Sequence, residues 1–240
     1  MDERQYCVVD LETARSAEDC RHCGFPDGEP LHLDHRCTGS WYAGHRYEPI
    51  GWDKKAALGL SIGCYWASAD QRSHFFDGHT IEETVRHFVT THPLLVSFNG
   101  RAFDFPLMRG LLRQQAERLR LNDWRTVPPG DAAPTADDTE DRAGALVDLC
   151  DAFKTLCAVS YDILAEIWKV APTRKFEAGL NSLGVISQAN GLGAKLSHGA
   201  QAPRDWQDGK YAQVLNYCQD DVYKIKALFE MVCAGTPILR

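Results

Sequence analysis

Apolar and polar positions along this chain follow two periods, and the switch between them outlines the fold. Tyr6 to Leu11 is a short, mostly apolar run that reads as a buried strand. Ala56 to Trp66 and Ser73 to Phe76 read as two more strands, with Asp77-Gly78 as the turn after the second. The period then lengthens. Ile81, Val85 and Phe88 fall at helical spacing within Thr80 to Thr91, and Thr80 followed by Glu83 has the form of a capping box. Leu94 to Phe98 returns to a short strand. Phe103 to Leu121 reads as a helix with Pro106 tolerated in its first turn. Ala145 to Leu149 is the next strand candidate. Tyr161 to Val170 reads as a short helix, and a last helix runs from about Lys210 to Val232.

Three segments break this order. From Thr13 to about Trp52 the chain is polar, rich in Cys, His, Gly and Pro, and without period, so residues 14–52 read as an insertion after the first strand. Residues 125–144 mix Pro, Gly and acids with almost no large apolar residue, as an acidic flexible surface loop does. Leu192 to Asp208 reads as a Gly-, Pro- and Ser-rich connection. Strands first, then strand–helix alternation, then helices imply a mixed sheet flanked by helices, an α/β class, within a single domain over 1–240.

Composition narrows the setting. Hydrophobic residues make up 44% and charged residues 25% of the chain, so its 240 residues are enough to bury a sizeable core. No apolar run is long enough to span a bilayer, and the N-terminus lacks a basic-then-apolar leader. A cytoplasmic protein without a membrane partner is expected, with its nine cysteines reduced. A net charge of −7 argues against a broad basic surface but leaves room for a nucleic-acid enzyme whose acids bind metal.

The candidate chemistry lies in three short motifs. Asp10 and Glu12 are two apart on a strand and so share a face. Asp104 follows Asn99-Gly100 and Phe103 at a helix start. The Asn could hydrogen-bond a sugar or phosphate, and the Gly permits close backbone approach. Tyr217 and Asp221 are four apart on a helix, with Asp220 as a competitor about 100° around it. Each motif alone has a plainer reading: a strand running into solvent, an N-cap, a surface Asp beside a half-buried Tyr.

Together and in this order, the motifs resemble the DEDD superfamily of 3′→5′ exonucleases, in the branch whose third motif carries a tyrosine. Tyr217 to Val222 looks like the third motif of family-B polymerase proofreading domains and of stand-alone bacterial exonucleases. Val147-Asp148-Leu149, expected on the last strand, and Lys195 to Trp206 look like the stand-alone group. The resemblance covers about 1–13 and 56–232 and leaves 14–52 unexplained. It implies a ribonuclease-H-like fold and a two-metal site of Asp10, Glu12, Asp104 and Asp221 holding Mg²⁺ or Mn²⁺, about 3.5 to 4 Å apart in such sites. Tyr217 would orient the attacking water, and Asn99, Leu11 and Phe103 would contact substrate. The implied reaction removes nucleoside 5′-monophosphates from the free 3′ end of a nucleic acid, single-stranded by preference and DNA ahead of RNA. Replication or repair proteins would be partners in trans. A non-catalytic nucleic-acid-binding module and a metal-dependent endonuclease are the alternatives.

The insertion carries its own candidate. Cys20, Cys23, His35 and Cys37 offer a tetrahedral set for one structural Zn²⁺, in a segment poor in apolar residues. The alternative is a loop with free Cys and His side chains.

Overall fold

A computed structural model describes residues 5–19, 48–121, 136–177, 179–196 and 201–238. The sheet is built from β1 (Tyr6–Thr13), β2 (Leu60–Ala67), β3 (Arg72–Phe76), β4 (Leu94–Ser97) and β5 (Tyr161–Asp162). Their order across the sheet is β3-β2-β1-β4-β5. β1–β2 and β2–β3 pair antiparallel, while β1–β4 and β4–β5 pair parallel, so the sheet is mixed. The helices are α1 (Ile81–Thr91), α2 (Asp104–Arg120), α3 (Ala136–Ala158), α4 (Ile163–Val170), α5 (Leu183–Ala189), α6 (Ala202–Gln207) and α7 (Tyr211–Cys233).

Alternation along β1 divides the molecule into two layers. Cys7, Val9 and Leu11 enter a core shared with α1, α2 and α3. Val8 enters the opposite core with α4, α5 and α7. The first core is aromatic: Phe153 lies between Phe88 and Phe105, with ring centroids 6.5 and 6.0 Å away. Fully burying one such ring stabilises the fold by about 1.5–3 kcal/mol. Of the cysteines described, Cys7, Cys64, Cys150, Cys157 and Cys218 are buried and free, and Cys233 is exposed and free. Among the described residues no helix is long and apolar enough to cross a membrane.

Several expectations are corrected. Ala145 to Leu149 is not a strand but the middle of α3, and Val147-Asp148-Leu149 therefore does not lie on the last strand. Ala143, Leu146, Cys150, Phe153 and Cys157 are all buried, at steps of three and four residues, a helical period hidden by a polar start. The stretch 125–144 is only partly a loop candidate, because 136–144 is helical and 122–135 lies outside the described residues. The last strand is Tyr161–Asp162. Thr80 makes no capping-box bond; Asp77 instead accepts from the Thr80 N–H and hydroxyl and from the His79 N–H. The connection 192–208 contains α6.

The insertion is described only at its two ends. Its Zn²⁺ set, Cys20, Cys23, His35 and Cys37, lies outside the described residues. The ends meet: the Ile50 N–H donates to the Asp19 carbonyl and the Gly51 N–H to that of Ala17, both at 2.9 Å. Ala17, Ile50 and Leu58 form a small separate core against Phe103.

Candidate functional site

The first pair of acids sits where β1 loosens. Asp10 stands opposite Cys64 and Glu12 opposite Ile62, and the register slips between Glu12 and Thr13. A slip of this kind re-aims side chains at the end of a strand. Asp10 and Glu12 share the α7 face of the sheet, whereas Leu11 is buried in the other core. The Leu11 side chain is thus part of that core.

Asp221 reaches these acids because α7 crosses the same face. The buried Cys218 thiol donates to the Asp10 carbonyl at 3.4 Å and anchors the helix there. One turn on, Asp221 points into the site, and single carboxylate oxygens of Asp10, Glu12 and Asp221 lie within 4.8 Å of one another. Asp220 turns away and pairs with Lys224 on its own helix.

Asp104 joins from the other side of β4. Asn99 adopts a left-handed backbone with φ of +67°, closing the corner after β4. Gly100 follows at a close approach, since a Cβ there would meet the Ser97 side chain at 2.5 Å and Asp104 Oδ2 at 3.1 Å. Phe103 ends the corner, and Asp104 opens α2, buried at 5% exposure. Asp104 lies outside the three-oxygen group, but its charge is felt at Asp10. Phe103 also meets the exposed Trp52 edge-on, with centroids 5.9 Å apart.

Crowding of acids in a dry setting dictates the electrostatics. Glu12 is pushed up to about 8, by burial first and then by Asp221, with Lys195 pulling it down. Asp10 is raised well above the usual carboxylate range by burial, then by Asp221, Asp104 and Glu12. Burial, Asp162 and Glu12 raise Asp104. Asp221 is raised as well, by burial, although Lys195 opposes it. Acids held this way want a cation.

Two residues of the site carried no role in the sequence reading. Lys195 makes a short ion pair with Asp221, and its stem packs on Gly184 of α5. Burial disfavours its charge, yet Asp221, Asp10 and Glu12 raise its pKa. Asp162 accepts from the N–H groups of Asn99 and Arg101, both at 3.0 Å, and from that of Ala165 at 3.2 Å. It therefore holds the corner that presents Asp104. An Asp just before the apolar run Ile163-Leu164 is an N-cap signal, and that signal was available in the sequence. Lys195 opens the stretch Lys195 to Trp206 that figures in the resemblance, but nothing local marks it as a partner of Asp221.

The Tyr217 side chain reaches toward α6. Its hydroxyl donates to Gln213 at 3.5 Å. It also reaches the buried Asp205, whose ionised form it favours, together with Gln201 and Lys210, against the cost of burial.

Comparison with protein-family models, curated proteins and solved structures finds no match to this chain.

Proposed function

We propose that this chain is a metal-dependent 3′→5′ exonuclease that hydrolyses the terminal phosphodiester of a nucleic acid, DNA ahead of RNA, releasing nucleoside 5′-monophosphates. The observation that carries this reading is the meeting of Asp10, Glu12 and Asp221 from opposite ends of the chain, with Asp104 beside them. The donors are hard oxygens, which suit Mg²⁺ or Mn²⁺. Asp10, Glu12 and Asp221 would hold the ions, with Asp104 completing the set. Such ions, when bound, neutralise charge at the phosphoryl group and lower the pKa of water.

The remaining residues act on the substrate or on each other. Asn99 and Phe103, at the corner before Asp104, would hold the terminal nucleotide. Tyr217, four residues before Asp221 on α7, would orient the attacking water. Lys195, paired with Asp221, would offset part of the acids' charge in the metal-free site and would stand close to the scissile phosphate. A ribonuclease-H-like fold draws support from the strand order, in which β2 alone runs against the other four. The protein would work in the cytoplasm, on a strand with a free 3′ end, in trans to replication or repair proteins.

A non-catalytic binding module is the second reading, favoured by one observation: the Lys195–Asp221 pair already supplies a cation from within. One experiment separates the two. 5′-labelled single-stranded DNA, duplex DNA and single-stranded RNA are incubated with Mg²⁺, Mn²⁺ or chelator, beside Asp221→Asn. A metal-dependent ladder shortening from the 3′ end, absent in the variant, is expected. Binding without cleavage of any substrate would leave the module, and internal cuts would mean an endonuclease.

A further inference from the structure

The packing of α2 on α3 contains a break in charge matching. The helices run antiparallel: Arg120 pairs with Glu140 at 3.2 Å, Arg113 lies 3.9 Å from Asp151, and the Cys150 thiol donates to the Arg109 carbonyl. A different grouping of side chains lies nearer the start of α2. There a cleft of about 210 Å³ opens, lined by Arg101, Arg109 and Lys154 over Phe105, Pro106 and Cys157, with no carboxylate in its wall among the described residues. In a chain of net charge −7, three cations converging without an acid are a pronounced local segregation.

The donors there are only partly used. Arg109 Nε is buried with no hydrogen-bond partner among the described residues, a state that costs free energy. Arg101 is braced by Ser160, its Nε donating to the hydroxyl at 3.1 Å and one Nη to the carbonyl, which leaves its other Nη without a partner among the described residues. The Cys157 thiol is pushed up to about 12, chiefly by burial, so it stays neutral and does not compete as an anion. A fork of guanidinium groups with an ammonium beside it matches the oxygens of a phosphate.

We propose that this cleft is a phosphate-binding site, distinct from the carboxylate cluster and built by Arg101, Arg109 and Lys154. Its position suggests the source. Arg101 is three residues before Asp104, and Arg109 lies five residues into α2, about 7.5 Å along the helix. A strand whose 3′ end enters the carboxylate cluster would lay an upstream backbone phosphate here. That assignment of source rests on the exonuclease reading, whereas phosphate binding itself does not. The same donors would accept a free phosphomonoester, such as a released nucleotide.

The test uses the full chain and the double variant Arg109→Gln/Lys154→Gln, with Arg109→Lys as the conservative partner. Binding of fluorescent oligothymidylates is measured in Ca²⁺ over a salt series. Strand binding predicts about a tenfold or greater affinity loss for a dodecamer. The salt slope should shrink by about 0.7 for each lost phosphate contact on a single strand. Binding of the dinucleotide, whose one phosphodiester is the scissile one, should not change, and Arg109→Lys should retain most of the affinity. In parallel, inorganic phosphate and a nucleoside 5′-monophosphate are added during thermal unfolding. A stabilisation present in the wild type and lost in the double variant, with unchanged dodecamer binding, would assign the cleft to free phosphomonoesters. Unchanged oligonucleotide binding together with an unchanged phosphate response would overturn the site. A wild type that binds no oligonucleotide would overturn the exonuclease reading, while the phosphate arm would still decide the cleft.

Discussion

Replacing Glu12 with Gln should stabilise the metal-free protein at alkaline pH. Glu12 titrates at about 8 in the fold against an ordinary 4.5, because burial and then Asp221 disfavour its charge. A raised carboxyl pKa means the folded state holds the proton more tightly than the unfolded state. The associated stability is therefore complete below pH 4.5 and is lost progressively as pH rises to about 8. A gap of about 3.5 at about 1.4 kcal/mol for each tenfold gives a ceiling near 5 kcal/mol. Gln keeps the volume and removes the charge, but gives up attraction to Lys195 and buries an amide that costs about 1–3 kcal/mol if poorly paired. The net expectation is a gain of about 2–3 kcal/mol at pH 9, or about 5–10 °C in melting temperature for a domain of this size. At pH 5, where little of the charge penalty remains and the amide cost persists, the variant should melt at or slightly below the wild type. The assay is thermal unfolding by circular dichroism in chelator at pH 5 and pH 9. Added Mn²⁺ should reverse the order at pH 9 by stabilising the wild type alone. A variant that melts at or below the wild type at pH 9 in chelator would refute the argument, because the Glu12 charge would then be welcome where it sits.

Asp221→Asn should abolish cleavage while leaving the circular-dichroism spectrum unchanged; retained activity would remove Asp221 from the metal set. Lys195→Met should cost the metal-free protein about 3 kcal/mol at pH 8 by leaving buried acids uncompensated, with the loss recovered by Mn²⁺ or at pH 5 in melting experiments. Asp162→Ala deletes the acceptor of three N–H groups. At about 1.5 kcal/mol or more per bond to a charged group it should lower stability by about 4–5 kcal/mol by urea unfolding, and Asp162→Asn should lower it less. Gly100→Ala drives a methyl into Ser97 and Asp104. It should depress the cleavage rate far more than stability, and equal loss of both would make the corner merely structural.

How much of this was legible in the sequence depended on whether a signal was local. The alternation in β1 placed Asp10 and Glu12 on one face, and four-residue spacing set Tyr217 and Asp221 on one helix, because both periods are fixed by backbone geometry. Asp220, an open competitor in the sequence, was excluded by Lys224 four residues on. The helix α3 was misread because its first turns are acidic and exposed, and only the buried series from Ala143 to Cys157 reveals its period. β5 is two residues long and has no period to detect. Leu11 looked available because it lies between two site acids, yet the same alternation that gathers those acids turns Leu11 into the core. Lys195 owes its place to α5 and α7 meeting near β1, which no local window contains.

The thiol of Cys218 that donates to Asp10 joins residues 208 positions apart. A contact of that span forms late, since long loops close slowly and chains emerge from the ribosome N-terminus first. β1, β2 and β3 can pair while α7 is still unmade, presenting Asp10 and Glu12 without Asp221 or Lys195. A growing chain thus carries its first two acids for most of its synthesis with no complete site. The nuclease proposed here would be inert on the ribosome, and would become competent only when the last helix settles across the sheet.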